Sequence, residues 1–170
     1  MIYPKNPAIM YAVIDNLTPV PAPPGQKAGP VPAGGEIYRS DDRGDSWQVI
    51  SEDLTTKTDR NSWPVMGKFW SADAVAKDVS TSLWGTIVSL AESPLNENLL
   101  YAGTDDGVVS VTEDGGKNWN QVKNFPGIPE YTYVSHLHAD RFGLTWQLIL
   151  TDPNPGTTRA FYRIQRDTGL

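Results

Sequence analysis

The chain has 170 residues, and its 20 acidic against 14 basic side chains give a net charge of −6. That balance, with no basic run anywhere, argues against nucleic acid as a partner, since phosphate binding needs clustered Lys and Arg. Cysteine is absent, which excludes a disulfide frame, a thiolate metal site and a cysteine nucleophile, while 15 Gly, 14 Pro and 6 Trp point to a turn-rich, all-β protein.

Taken in order, residues 1–5 read as the tail of a strand entered in its middle, without the basic-then-apolar build of a secretion signal. Ile9 to Ile14 is apolar almost throughout, the pattern of a strand covered on both faces. Residues 16–35 carry Pro19, Pro21, Pro23, Pro24, Pro30, Pro32 and four Gly, which predicts an extended loop rather than a strand. Asn16-Leu17-Thr18 within it fits a glycosylation sequon, a short pattern of low specificity. A strand pattern resumes at Glu36 and ends near Ser51.

Residues 52–84 have no clean period, although Asp73 to Val79 is long enough for two helical turns. The segment is aromatic, with Trp63, Phe69, Trp70 and Trp84. Packing against a neighbouring sheet explains these rings; the functional alternative makes Trp63, Trp70 and Trp84 a stacking platform for flat sugar faces. Residues 85–123 read as four strands, Thr86 to Ser93, Leu99 to Thr104, Val108 to Thr112 and Trp119 to Val122, with Asp105-Asp106-Gly107 as a hairpin turn. Tyr131 to Ala139 opens another strand, in which His136 and His138 fall on one side. Two histidines without a third ligand do not make a zinc site, so neither metal nor cofactor is expected. No apolar run approaches the ~18 residues of a membrane span. Beyond Arg141, Leu144 to Leu150 and Ala160 to Ile164 have strand character but stand outside the preceding order, leaving 142–170 as a divergent tail.

One pattern occurs twice. Ser40-Asp41-Asp42-Arg43-Gly44-Asp45-Ser46-Trp47 and Thr112-Glu113-Asp114-Gly115-Gly116-Lys117-Asn118-Trp119 both read hydroxyl, any, Asp, any, Gly, any, any, Trp. Each lies between two short apolar strands, which places it on a hairpin turn, and a repeat decides the unit of structure. Asp42 and Asp114, with the hydroxyls of Ser40 and Thr112, have the chemistry to bind backbone N–H groups of their own loop. Gly44 and Gly116 admit a positive φ, and Trp47 and Trp119 carry a large ring to fold back over the hairpin. All four positions therefore have structural work to do, and the aspartates read as turn-builders rather than catalysts.

The two copies resemble Asp-box (BNR) repeats, the hairpin turns of sialidases, xyloglucanase-type glycoside hydrolases and sortilin/VPS10 propellers. The likeness extends to Asn6-Pro7-Ala8-Ile9-Met10-Tyr11-Ala12-Val13 and Asn96-Glu97-Asn98-Leu99-Leu100-Tyr101-Ala102-Gly103, which match each other ahead of the boxes. It implies a partial β-propeller over residues 1–141, with blade pieces at 1–51, 85–123 and 130–141 and an irregular aromatic segment at 52–84. It also implies boxes on the blade periphery, away from any central site, and favours an extracytoplasmic location. A propeller closes with about four to eight blades, so such a chain is expected to be part of a larger ring, or to complete one with other blades or by self-association.

Three functions follow from the resemblance: a non-catalytic binding or scaffold module for a protein or glycan ligand, part of a glycoside hydrolase of xyloglucanase or sialidase type, or an assembly factor similar to the photosystem stability factor. Glycoside hydrolysis needs a carboxylate pair across a cleft, and a sialidase also needs clustered arginines and a tyrosine nucleophile. Arg39, Arg43 and Arg60 are scattered, and Tyr11, Tyr38 and Tyr101 sit in strands. No catalytic residue is assigned, and the module reading leads.

Overall fold

In the computed structural model, which describes residues 1–16, 34–58, 62–71, 74, 84–139, 145–150 and 160–165, every regular element among the described residues is a β-strand. The first sheet is a meander of β1 (Met10–Asn16), β2 (Gly34–Ser40) and β3 (Gln48–Val49). The second runs β4 (Ile87–Glu92), β5 (Leu100–Thr104), β6 (Val109–Thr112) and β7 (Asn120–Val122). The third is β8 (His136–Ala139), β9 (Thr145–Leu150) and β10 (Ala160–Gln165). All pairings are antiparallel and join sequence neighbours. The fold is a partial β-propeller of antiparallel blades whose ring is not closed.

The first two sheets are built from the same parts. Residues 1–3 occupy the place that β4 holds in the second sheet: Tyr3 N–H donates to the Ile9 carbonyl at 2.9 Å, as Ser93 N–H does to that of Leu99 at 2.9 Å. The turns that follow are alike as well. The Asn6 side chain accepts from Ala8 N–H at 3.1 Å and the Asn96 side chain from Asn98 N–H at 3.0 Å, two Asx turns in register.

Strand alternation then decides what each face meets. On β1, Tyr11 faces the second sheet and joins Tyr3, Ile9 and Leu100 in one buried cluster, with Ile50, Leu90 and Trp119 packed against it. Ile37, Leu54, Ile87 and Ala102 continue that interface. Tyr101 points the opposite way and meets Ala91, Val109, Val134 and Leu137, the core between the second and third sheets. Hence β5 is buried at every position, the result of cover on both faces. Tyr11 and Tyr101, matched in sequence, thus do the same job one blade apart.

Three findings modify the expected boundaries. β2 starts at Gly34, ahead of Glu36, and a Cβ on Gly35 would lie 2.9 Å from Ile87 Cγ1, so close sheet packing explains a glycine there. Within 52–84, Val65 pairs with Lys68 across Met66 (φ 54°) and Gly67 (φ 76°), a two-residue hairpin with both central residues left-handed. β9 and β10 extend the sheet begun by β8, His136 opposite Ile149 and Ala160 opposite Leu150, so the third meander takes strands from both sides of Arg141. The Pro-rich stretch 17–33, Leu17 and Thr18 of the sequon, Arg60 and most of the helical turns expected over 73–79 lie outside the described residues.

Candidate functional site

Both boxes adopt one geometry. Ser40 Oγ donates to Asp42 Oδ1 at 2.7 Å and accepts from Gly44 N–H at 2.8 Å; Thr112 Oγ1 does the same with Asp114 at 2.8 Å and Gly116 at 2.9 Å. Asp42 also accepts from the N–H and hydroxyl of Ser46, and Asp114 from the N–H and side-chain amide of Asn118. Each carboxylate is therefore occupied on both oxygens by its own loop. These bonds hold both carboxyls at about 2, with the box residue at position seven, Ser46 or Asn118, the largest cause. Neither carboxylate is poised to exchange a proton near neutral pH.

A pH dependence follows. A carboxyl whose folded value lies below its ordinary 3.8 contributes stability that is complete above about pH 4 and lost as pH falls toward 2. Asp105 and Glu92, raised chiefly by burial, act in the opposite sense and lose stability as pH rises through their range. The melting temperature is therefore expected to drop between about pH 4 and pH 2. Asp42→Asn with Asp114→Asn should flatten that acid limb, and an unchanged limb would assign it to other groups.

The Asp105-Asp106-Gly107 turn places its two carboxylates side by side but commits both. Asp105 Oδ1 accepts from Gly85 N–H at 2.9 Å and Thr86 N–H at 2.7 Å. Asp106 is buried and accepts from the Thr104 hydroxyl and from the N–H and hydroxyl of Thr56, both at 2.7 Å, which fastens residues 52–58 to the second sheet. A Cβ on Gly107 (φ 89°) would stand 2.9 Å from Tyr131 Cα, so the turn is itself capped by backbone. The two carboxylates serve as anchors.

The structure brings two of the three candidate stacking rings together. Trp63 and Trp84 meet edge-on at 5.0 Å, and Tyr131 completes a triangle, 5.0 Å from Trp63 and 5.7 Å from Trp84. Tyr131 went unnoticed in sequence because no spacing rule links it to Trp63 or Trp84; its φ of 60° is a feature of the fold alone. Trp63 and Tyr131 remain well exposed, so the trio forms an aromatic ledge whose rings brace one another at steep angles. Trp70 is half exposed on the hairpin, its Nε1–H donating to the Val65 carbonyl at 3.1 Å. Next to it Phe69 and Met66 project into solvent, Met66 being 95% exposed.

His136 and His138 lie on one face of β8, their rings stacked 6.5 Å apart, and among the described residues no cluster of three metal-ligating side chains occurs. Arg39 pairs with the exposed Asp41 at 2.8 Å while its largely covered guanidinium sits 5.9 Å from the ring centre of the buried Tyr11, an arrangement remote from the ledge residues in sequence. Among the described residues, no helix is long and apolar enough to cross a membrane.

No family model matches the chain, and no curated protein matches it. Among solved structures, one titled "YCF48 bound to D1 peptide" aligns with a TM-score of 0.43 at 14% identity, over 91% of this chain and 40% of that one. The chain thus spans well under half the length of that solved chain.

Proposed function

We propose that the chain is a non-catalytic binding or scaffold segment of a β-propeller, of the sortilin/VPS10-like kind, taking a protein or glycan ligand on loops that the blades hold in place. One observation carries this reading: the four carboxylates of the two repeated turns and of the Asp105-Asp106 turn are engaged as hydrogen-bond acceptors, Asp42 and Asp114 by their own loops, Asp105 by Gly85 and Thr86, and Asp106 by Thr104 and Thr56. Asp42, Asp114, Asp105 and Asp106 each accept hydrogen bonds that define loop or inter-segment geometry. A catalytic carboxylate needs an oxygen free to meet substrate, and the oxygens of these groups are taken up by the fold. The exposed rings of Trp63 and Tyr131 supply the contact area that a binding surface uses, since large rigid rings contribute most to recognition.

The test pairs two measurements on the full chain. Xyloglucan and a sialoside are incubated with the protein and assayed for released sugar, and binding of xyloglucan oligosaccharides and of a peptide library is followed by tryptophan fluorescence. No hydrolysis is expected, together with binding that Trp63→Ala or Tyr131→Ala weakens about tenfold or more. Hydrolysis abolished by Asp105→Asn or Asp106→Asn would establish a glycoside hydrolase instead.

A further inference from the structure

A second concave surface lies apart from the aromatic ledge, none of whose rings lines it. It is a groove of about 630 Å³ between residues 52–57 on one side and the second box with β7 on the other. Its walls are tied together by the fold. Trp119 Nε1–H donates to the Ile50 carbonyl at 2.8 Å, Gln121 Nε2–H to that of Leu54 at 3.0 Å, and Thr56 is clasped by Asp106. Two chemical features stand out. β7 is the terminal strand of its sheet, all three of its residues are exposed, and a terminal strand carries backbone donors and acceptors on its outer side. Lys57, Lys117 and Lys123 line the groove, all exposed, and among the described residues none of them forms an ion pair.

The lining thus holds three cations against two carboxylates, Glu52 and Asp53, in a chain whose net charge is −6. Asp53 is partly engaged, accepting from Thr55 N–H at 3.0 Å. Lysines beside a sheet edge repel cationic strands and discourage neutral ones. An extended chain bearing carboxylates meets the opposite condition: main-chain pairing along the edge supplies affinity, and the ammonium groups select its charge. We propose that this groove takes an extended acidic peptide, added as a strand along β7 with its carboxylates on Lys57, Lys117 and Lys123. The proposal goes beyond the ledge reading and stands or falls separately from it, because different residues are tested.

The experiment measures fluorescence anisotropy of a labelled, end-blocked peptide of repeating Glu-Val against the full chain at low salt. Controls are the repeating Lys-Val peptide, the Glu-Val peptide N-methylated at alternate residues, and an oligoglucuronate. The acidic peptide alone is expected to bind, with Lys117→Glu plus Lys123→Glu weakening it at least about tenfold and high salt doing likewise. Both substitutions are at exposed positions, and an unchanged circular dichroism spectrum verifies folding. Absence of acidic-peptide binding would overturn the proposal, as would binding indifferent to the two substitutions. Equal binding of the N-methylated peptide would show charge without strand pairing and overturn it too, and oligoglucuronate binding in place of the peptide would make the groove a glycan site.

Discussion

Replacing Trp119 by alanine is expected to destabilise the protein by about 3 kcal/mol, the lower end of the range for a large aromatic ring removed from a core, because Trp119 is partly buried against that core. The same change at Trp47, the matching position of the first box, should cost only about 1 kcal/mol, as for a partly exposed side chain. The difference comes from the neighbour each ring has. Trp119 packs against both clusters between the first and second sheets and donates to the Ile50 carbonyl, so it latches one blade onto the one before. Trp47 is 40% exposed and its Nε1–H donates to Gly44 of its own loop at 3.0 Å. Trp119→Phe separates the terms: it keeps most of the packing but strands the Ile50 carbonyl, at a cost of about 1 kcal/mol. Denaturant unfolding of the four proteins (parent, Trp47→Ala, Trp119→Ala, Trp119→Phe) checks the ranking. Equal losses at the two tryptophans would mean that Trp119 does not join the sheets.

The second large effect is expected at the box glycines. Gly44 and Gly116 both have left-handed backbone, φ 93° and 97°, so alanine at either one meets a backbone penalty of about 1–2 kcal/mol. At Gly44 a new Cβ would find nothing nearer than the Trp47 ring at 3.5 Å, and the penalty ends there. At Gly116 it would stand 2.5 Å from the Ile50 carbonyl oxygen and 2.7 Å from Ile50 Cβ, atoms of the neighbouring segment that cannot step aside without opening the interface. Gly116→Ala should therefore cost about 3 kcal/mol or more, with overpacking added to backbone strain. Because Trp119 and Gly116 both press on Ile50, the two substitutions are expected to be less than additive in combination. Identical melting temperatures for Gly44→Ala and Gly116→Ala would refute the close contact.

Both predictions contrast positions that are interchangeable in the sequence, and this marks the border of what sequence reasoning reaches. The box pattern reports local geometry: a hydroxyl, a carboxylate and a glycine at fixed offsets close a loop by bonds that span no more than four residues. Local bonds depend on local sequence, so the turn, its left-handed glycine and the occupied aspartates were legible from the repeat. The strand from Leu99 to Thr104 was legible too, but not that both its faces are covered; the run that announced such cover, Ile9 to Ile14, ends with Ile14 51% exposed.

What covers those faces was not legible, because it depends on residues far apart in the chain. Spacing gives no link between Thr56 and Asp106, between Tyr131 and the rings of Trp63 and Trp84, or between Gln121 and Leu54. The pairing of β9 and β10 with β8 escaped for a related reason: the stretch beyond Arg141 carries no box to mark its hairpins, and partner choice between strands is a tertiary matter. By itself the sequence determined an all-β chain with a twice-repeated hairpin turn whose aspartates accept hydrogen bonds from their own loop. Only the tertiary structure decided which tryptophan is a latch, which glycine is wedged against a neighbour, and that residues 52–57 and β7 enclose a lysine-lined groove. Local offsets set hydrogen bonds within a loop, whereas burial and wall-to-wall contact arise only when distant segments are brought to the same place.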